Sequence, residues 1–348
     1  MATSQTALDV LRQRTIVDCD TMDAQVAQTF GPFQDCTSNQ AIAFFELSKP
    51  EHSLLISESV SEAMGLTPRF PGPSVEELAV EIAMIKLALK IAPHIKGYIH
   101  IQTNPYYSYS TEKTIVNALR IIQLAQHLQP GFPQSRICIK IPSTWEGLLA
   151  CRALEQAGVR TLATTLFTLT QAALAAEVNC TYVAPYVNQL KVHFEPGFTD
   201  PAKLLPLCPQ IQAYYHQIGS RTLVLPASLT STTEILALAG VHHITIAPGL
   251  LQQLAALPGV EAGVSTNTTT ASLFDATNPV VNADTDTDNG QLPKSPLSFV
   301  NNEAAYRLAF TRDAGGESEG KLVQAVNIFC DMQDKLVQLM AAVMQRSV

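Results

Sequence analysis

A repeated alternation constrains the fold more than any other feature of this chain: a short, continuously apolar run, then a stretch with apolar residues at helical spacing. Eight runs read as strands, at residues 15–20, a short piece near 35–39, 98–104, 136–143, 161–167, 181–187, 222–228 and 242–248. Between most of them lie segments such as 75–89, 111–128, 145–157 and 233–238, which are apolar at i, i+3, i+4 and i+7. Strands that are apolar throughout, rather than at alternate positions, belong to a parallel sheet covered on both faces. Eight such strands with intervening helices predict an α/β protein, a single (β/α)8 TIM barrel over residues 1–348, rather than an open doubly wound sheet. In a barrel the carboxyl ends of the strands converge on one face. Here those ends are polar, in DCD, CTSN, QTN, KIPST and PAS, so chemistry is expected there.

Two regions depart from the alternation. Residues 264–296 are rich in Thr, Asn, Asp and Pro and read as an irregular surface loop. Asp284, Asp286 and Asp288 have the alternate spacing of a calcium loop. The glycine falls one place late, at Gly290, and Ser295 stands where the closing glutamate belongs, so a solvated acidic loop is the expectation. Residues 300–346 read as C-terminal helices, ending in a long amphipathic one, roughly 321–344, that either folds back over the barrel or pairs with another subunit.

Composition narrows the class. The chain is 47% hydrophobic and only 15% charged, against roughly 25% charged in soluble domains. That deficit points to extra burial, between subunits of a homodimer or around an apolar ligand. A net charge of -8, with no block of Lys or Arg, leaves no footprint for nucleic acid or for an anionic membrane surface. No strand is followed by GxGxxG or GxxxxGK[ST]. The seven cysteines show no CxxC pair or metal-ligand spacing and read as small buried hydrophobes in a reducing compartment. Without an apolar N-terminal signal core or an apolar stretch of membrane length, the chain reads as soluble and cytoplasmic.

The sharpest chemical signal is Lys140, in RICIKIPSTWEG, between Ile139 and Ile141 on a strand whose two faces are both covered. Burying an ammonium is costly, and the usual relief is to sit as the neutral amine. Such an amine attacks carbonyls and forms an iminium, an electron sink for making or breaking C–C bonds. The alternative is a lysine paired with a barrel carboxylate such as Asp20, and the strand alone does not separate the two. His100 and His193 have no partners at ligand spacing, and the neighbours His242 and His243 point to opposite faces of a strand. All four read as ordinary histidines, with no metal implied. Trp145 reads as packing. Tyr106, Tyr107 and Tyr109 form either an aromatic wall beside the site or a cap on the barrel.

Several motifs in one register resemble those of transaldolases, the Schiff-base aldolase barrels. IKIPSTWEG resembles their lysine strand, VDCDTMD their first-strand aspartate motif and QDCTSNQ their second-strand segment. LFTLTQAALAAE followed by YVAPYV resembles their fifth and sixth strands, and LPASLTSTTEILALAGVHHITIAPGLLQQL their last two. The likeness runs from about Thr15 to Leu254 and resumes in the C-terminal helices, with the Thr/Asn/Asp loop less well covered. It implies Lys140 as the Schiff-base lysine, Asp20 as the acid–base at the scissile bond and Thr164 as the holder of the catalytic water. Asn39 and Ser228 would hold the substrate, and no cofactor is called for.

The departures from that pattern are equally specific. Gln102 stands where transaldolases carry their proton-shuttling glutamate, and an amide cannot exchange a proton near neutral pH. Leu162 replaces a strand-five asparagine. Gln189 and Thr230 replace the two arginines that grip a sugar phosphate, and Ala184 replaces a nearby phosphate-contacting serine. Tyr186, beside Gln102, resembles the pairing found in fructose-6-phosphate aldolases, whose tyrosine would position water or protonate an enamine. The expected substrate is therefore a small-molecule carbonyl compound without phosphate, of the kind met in specialised metabolism. The alternatives are a pentose-phosphate transaldolase that holds phosphate by other means, such as Lys191 or Arg160, and a catalytically retired binding barrel.

Overall fold

A computed structural model of the protein describes residues 5–259, 271–275, 292–293 and 295–346. Asp284, Asp286, Asp288 and Gly290 of the acidic loop lie outside the described residues. The sheet has eight strands: β1 (Ile16–Asp20), β2 (Cys36–Thr37), β3 (Ile99–Gln102), β4 (Ile137–Pro142), β5 (Arg160–Leu166), β6 (Tyr182–Pro185), β7 (Leu223–Val224) and β8 (His243–Ile246). All the ladders are parallel, running β7-β6-β5-β4-β3-β2-β1-β8. The barrel is closed between its two end strands by single contacts. The Thr245 N–H donates to the Pro226 carbonyl at 3.3 Å, and the Val224 N–H donates to His242 Nδ1 at 3.1 Å.

The strands are shorter than their apolar runs. β7 stops at Val224 inside the expected 222–228 because Pro226 has no N–H to give a ladder; its carbonyl alone joins the pairing. The helices are α1 (Ala7–Arg12), α2 (Ala24–Phe30), α3 (Gln40–Leu47), α4 (Ser53–Leu66), α5 (Val75–Ile91), α6 (Thr111–Leu128), α7 (Trp145–Gln156), α8 (Leu169–Glu177), α9 (Leu207–Ile218), α10 (Thr232–Ala237) and α11 (Pro248–Ala256). Beyond residue 300 follow α12 (Glu303–Arg312) and α13 (Glu317–Arg346).

Strand parity sorts β4 cleanly. Ile137, Ile139 and Ile141 face outward into the core shared with the helices. Cys138 faces inward, into a separate cluster with Leu162, Tyr182, Ala184, Tyr186, Leu225 and Ala227. Lys140 shares the inward parity of Cys138. At the end of β4 the chain turns straight into α7, whose first turn is capped by Thr144 Oγ1 accepting from the Gly147 N–H at 2.8 Å. A Cβ on Gly147 would lie 2.1 Å from the Pro142 carbonyl, so this close approach of helix to strand requires glycine.

The long C-terminal helix folds over the barrel. On α13, Leu322, Ala325, Val326 and Phe329 are buried at i, i+3, i+4 and i+7 and join the inward-facing cluster. Leu336 and Met340, further along, join the outer core. Polar contacts fix the helix at the mouth. Gln324 Nε2 donates to Gln189 Oε1 at 3.2 Å, Lys321 Nζ to the Ala202 carbonyl at 3.1 Å, and the Tyr106 hydroxyl to Asp334 at 2.9 Å. Among the described residues, no helix is long and apolar enough to cross a membrane.

Candidate active site

The interior of the barrel holds polar groups at two levels. At the amino-terminal level they are paired. Asp18 Oδ2 lies 2.9 Å from His243 Nδ1, and Asp35 Oδ2 lies 3.0 Å from His100 Nε2. The Asp35 N–H donates to Asp18 Oδ1 and the Tyr98 N–H to Asp35 Oδ1, both at 2.8 Å. Burial pushes the Asp18 carboxyl up. Burial acts downward on His243, but the hydrogen bond to Asp18 and the charges of Asp18 and Asp35 together outweigh it and raise the ring's pKa. Asp18, Asp35 and His243 bring possible metal-ligand atoms within 4.8 Å of one another, and all three are engaged in these hydrogen bonds.

Above this floor, at the carboxyl ends of the strands, lies a cavity of about 330 Å³. Five of the residues expected from the sequence line it: Asp20, Asn39, Lys140, Tyr186 and Ser228. Thr21, Glu46, Lys49, His193 and the apolar groups of Ile42, Phe45, Leu190, Phe194 and Phe329 also form its walls. Lys140 is only 2% exposed, and among the described residues no carboxylate lies within ion-pairing distance of its Nζ. The Asp20 carboxylate is held instead by the Thr37 hydroxyl at 2.6 Å, and Thr37 in turn lies 2.6 Å from the Thr245 hydroxyl. Asn39 caps α3, its Oδ1 accepting from the Ile42 N–H at 3.0 Å, which leaves its amide nitrogen to serve the cavity.

The other expected residues surround this core without lining it. Gln102 and Leu162 flank Lys140 in register on β3 and β5. Gln102 is buried, and neither atom of its amide has a hydrogen-bond partner among the described residues. The Thr164 hydroxyl lies 3.3 Å from the Tyr186 hydroxyl. Leu162 and Ala184 are part of the inward apolar cluster beneath Tyr186.

Gln189 and Thr230 stand at the rim, where each bonds a carboxylate. The Gln189 N–H donates to Asp200 Oδ2 at 2.7 Å. The Thr230 N–H and hydroxyl donate to the Glu234 carboxylate at 2.7 and 2.8 Å. Glu234 also accepts from Lys203 at 2.8 Å and from Asn188 at 3.0 Å. Burial favours protonation of Asp200 and of Glu234, yet the bonds they accept hold both below the usual carboxylate range. The two cations considered for a phosphate are placed differently. Arg160 starts β5 at the opposite end of the barrel, 3.4 Å from Glu155, and Lys191 lies over the Phe198 ring at 4.0 Å.

His193 is the residue that sequence reasoning passed over. It sits on the single turn Leu190–His193 after β6, lines the cavity, and places Nε2 3.0 Å from the Ser228 hydroxyl. The available signal was its place in a strand-to-helix loop at the carboxyl end of β6, which a barrel always turns toward its mouth. Ser228 itself has φ +58°, a left-handed backbone uncommon for serine, secured by two bonds that its carbonyl accepts from Asn188. His100 and His243 pair with aspartates as ordinary histidines do, although His100 Nδ1 is buried without a partner. Of the tyrosines after β3, Tyr106 and Tyr109 are exposed and none lines the cavity. Trp145 packs against Tyr306 with ring centroids 5.3 Å apart.

A family profile described as transaldolase/fructose-6-phosphate aldolase matches residues 17–289. Among similar proteins, the transaldolase of Glaesserella parasuis is 33% identical over 258 residues, covering 71% of this chain and 78% of its own. That of Nostoc sp. is 33% identical over 263 residues, covering 72% and 77%. That of Methylococcus capsulatus is 33% identical over 265 residues, covering 74% and 79%.

Proposed function

The chain belongs to the transaldolase/fructose-6-phosphate aldolase family, and on that footing we propose that it makes or breaks a C–C bond in a carbonyl substrate that carries no phosphate. Lys140 adds to the carbonyl and forms the iminium. Asp20 moves the proton at the bond being made or broken, by aldol chemistry or iminium-assisted cyclisation. Asn39 and Ser228 hold substrate hydroxyls, while Gln102, Thr164 and Tyr186 orient water. A buried lysine free of any carboxylate, facing Asp20 across one cavity, supports this assignment. The apolar walls suit an uncharged, bulky substrate of the kind found in specialised metabolism.

One observation carries the absence of phosphate. At the two positions that match the family's phosphate-gripping arginines, no cation stands, and the Gln189 backbone N–H and the Thr230 N–H and hydroxyl bond the carboxylates of Asp200 and Glu234. A phosphate dianion brought to this rim would meet a carboxylate at each position instead of an arginine, with Lys203 already paired to Glu234. Losing two charged contacts at ~1.5–3 kcal/mol each weakens phosphosugar binding by at least about a hundredfold. The name of the relatives favours a second reading, transfer between sugar phosphates. A coupled assay with fructose 6-phosphate and erythrose 4-phosphate separates the two. Only background rates are expected; robust turnover at micromolar substrate would show that phosphate is held in some other way.

A further inference from the structure

Iminium formation moves protons to and from the carbonyl oxygen, and Gln102 cannot carry them. The titratable groups lining the cavity are Asp20, Glu46, Lys49, Lys140, Tyr186 and His193. Glu46 and Lys49 are tied to each other at 2.8 Å, to Asp23 at 3.0 Å and to His52 at 2.7 Å, an arrangement that holds α3 in place. Asp20 is anchored by Thr37. Among the cavity groups, His193 alone combines a side chain open to solvent with a short hydrogen bond to a hydroxyl inside, Ser228 Oγ at 3.0 Å.

We propose that His193 is a catalytic residue, the acid–base group that exchanges protons with the substrate carbonyl oxygen, with the Ser228 hydroxyl as its link into the cavity. The role presupposes the iminium at Lys140 proposed above. The amine nitrogen bonds to the carbonyl carbon, and the C=O π pair moves onto oxygen. One proton then passes from that nitrogen through Ser228 and His193 to the alkoxide, giving a neutral carbinolamine. A second proton, taken up from solvent by the imidazole, goes to the hydroxyl. The C–O bond breaks, water leaves, and the nitrogen lone pair closes the iminium with its single positive charge. Hydrolysis runs the same steps in reverse.

Desolvation lowers the ring's pKa, while the charges of Asp20 and Glu234 act the other way. Lys140, Lys49, Glu46 and Tyr186 are the remaining titratable groups lining the cavity. It is the neutral ring that accepts the first proton. Below its pKa it is already protonated, and iminium formation slows.

The test is a time course of borohydride trapping with dihydroxyacetone, read by intact mass between pH 5 and 8. His193→Gln keeps an N–H for Ser228 but cannot titrate. It is expected to trap about a hundredfold more slowly, to lose the acid limb of the wild-type profile, and to reach the same final extent. Free imidazole should restore the rate of His193→Ala, whose vacated side chain opens to solvent. Equal rates and pH profiles for wild type and His193→Gln would overturn the role of His193 alone. Absence of any adduct in the wild-type protein would overturn it together with the iminium at Lys140.

Discussion

The floor and the mouth of this barrel are lined by the same kinds of residue, buried polar groups on inward-facing strand positions, and treat them in opposite ways. On the floor, Asp18 faces His243 and Asp35 faces His100. At the mouth, among the described residues, the Lys140 side chain pairs with no carboxylate, and the Gln102 amide, two residues beyond His100 on β3, has no hydrogen-bond partner. The floor spends its polar groups on holding strands together; at the mouth Lys140 and Gln102 are left out of such pairs. The rim adds a third treatment. There the carboxylates of Asp200 and Glu234 take up the donors at positions that in related barrels meet a phosphate. Partnering, rather than burial or residue type, is what separates structure from chemistry here.

The comparison is broken most strongly from the floor. Asp18→Ala leaves the His243 ring and the Asp35 N–H buried without their acceptor. Removing one member of such a pair costs about 3–5 kcal/mol. Chemical denaturation should register a loss of that size, with the iminium yield per folded molecule unchanged. A loss below about 1 kcal/mol would show that the floor is not held by this pair.

A smaller effect sharpens the contrast at the rim. Glu234 is pulled up by burial but held down by the bonds from Lys203, Thr230 and Asn188, so its folded pKa lies below the unfolded value. The stability it contributes is fully present above the ordinary glutamate pKa of about 4.3. It is lost as pH falls through the lower folded value. Glu234→Gln should cost about 1.5–3 kcal/mol at pH 7 and show a shallower decline of melting temperature below pH 4.3. Parallel declines for the two proteins would mean that the rim carboxylate is not engaged as described.

Much of the architecture is legible in the sequence because a barrel is written locally. The apolar runs and helical spacings are short-range patterns, and Ile137, Ile139 and Ile141 announce by parity alone which way Lys140 points. What is lost is long-range. Asp18 and His243 lie on the first and last strands, and no local pattern announces that they meet. Ser228 meets His193 across two loops, and Phe329 reaches the cavity from a helix expected only to lie over the barrel or pair with another subunit. The carboxylates at the rim escape for a different reason, because irregular connections carry no periodic pattern. The losses at Gln189 and Thr230 are readable one residue at a time, whereas the bonds they make to Asp200 and Glu234, eleven and four residues along the chain, depend on how the β6–α9 connection and the start of α10 fold.

The central claim is that Lys140 is a free, reactive amine, and borohydride trapping tests it most directly. The wild-type protein and Lys140→Ala would be incubated with dihydroxyacetone, fructose and a panel of apolar aldehydes and ketones, reduced, and weighed intact. A single reduced adduct on the wild-type protein, absent from a folded Lys140→Ala, is the predicted result. An adduct that persists in the variant, or none with any carbonyl on the wild-type protein, would contradict it.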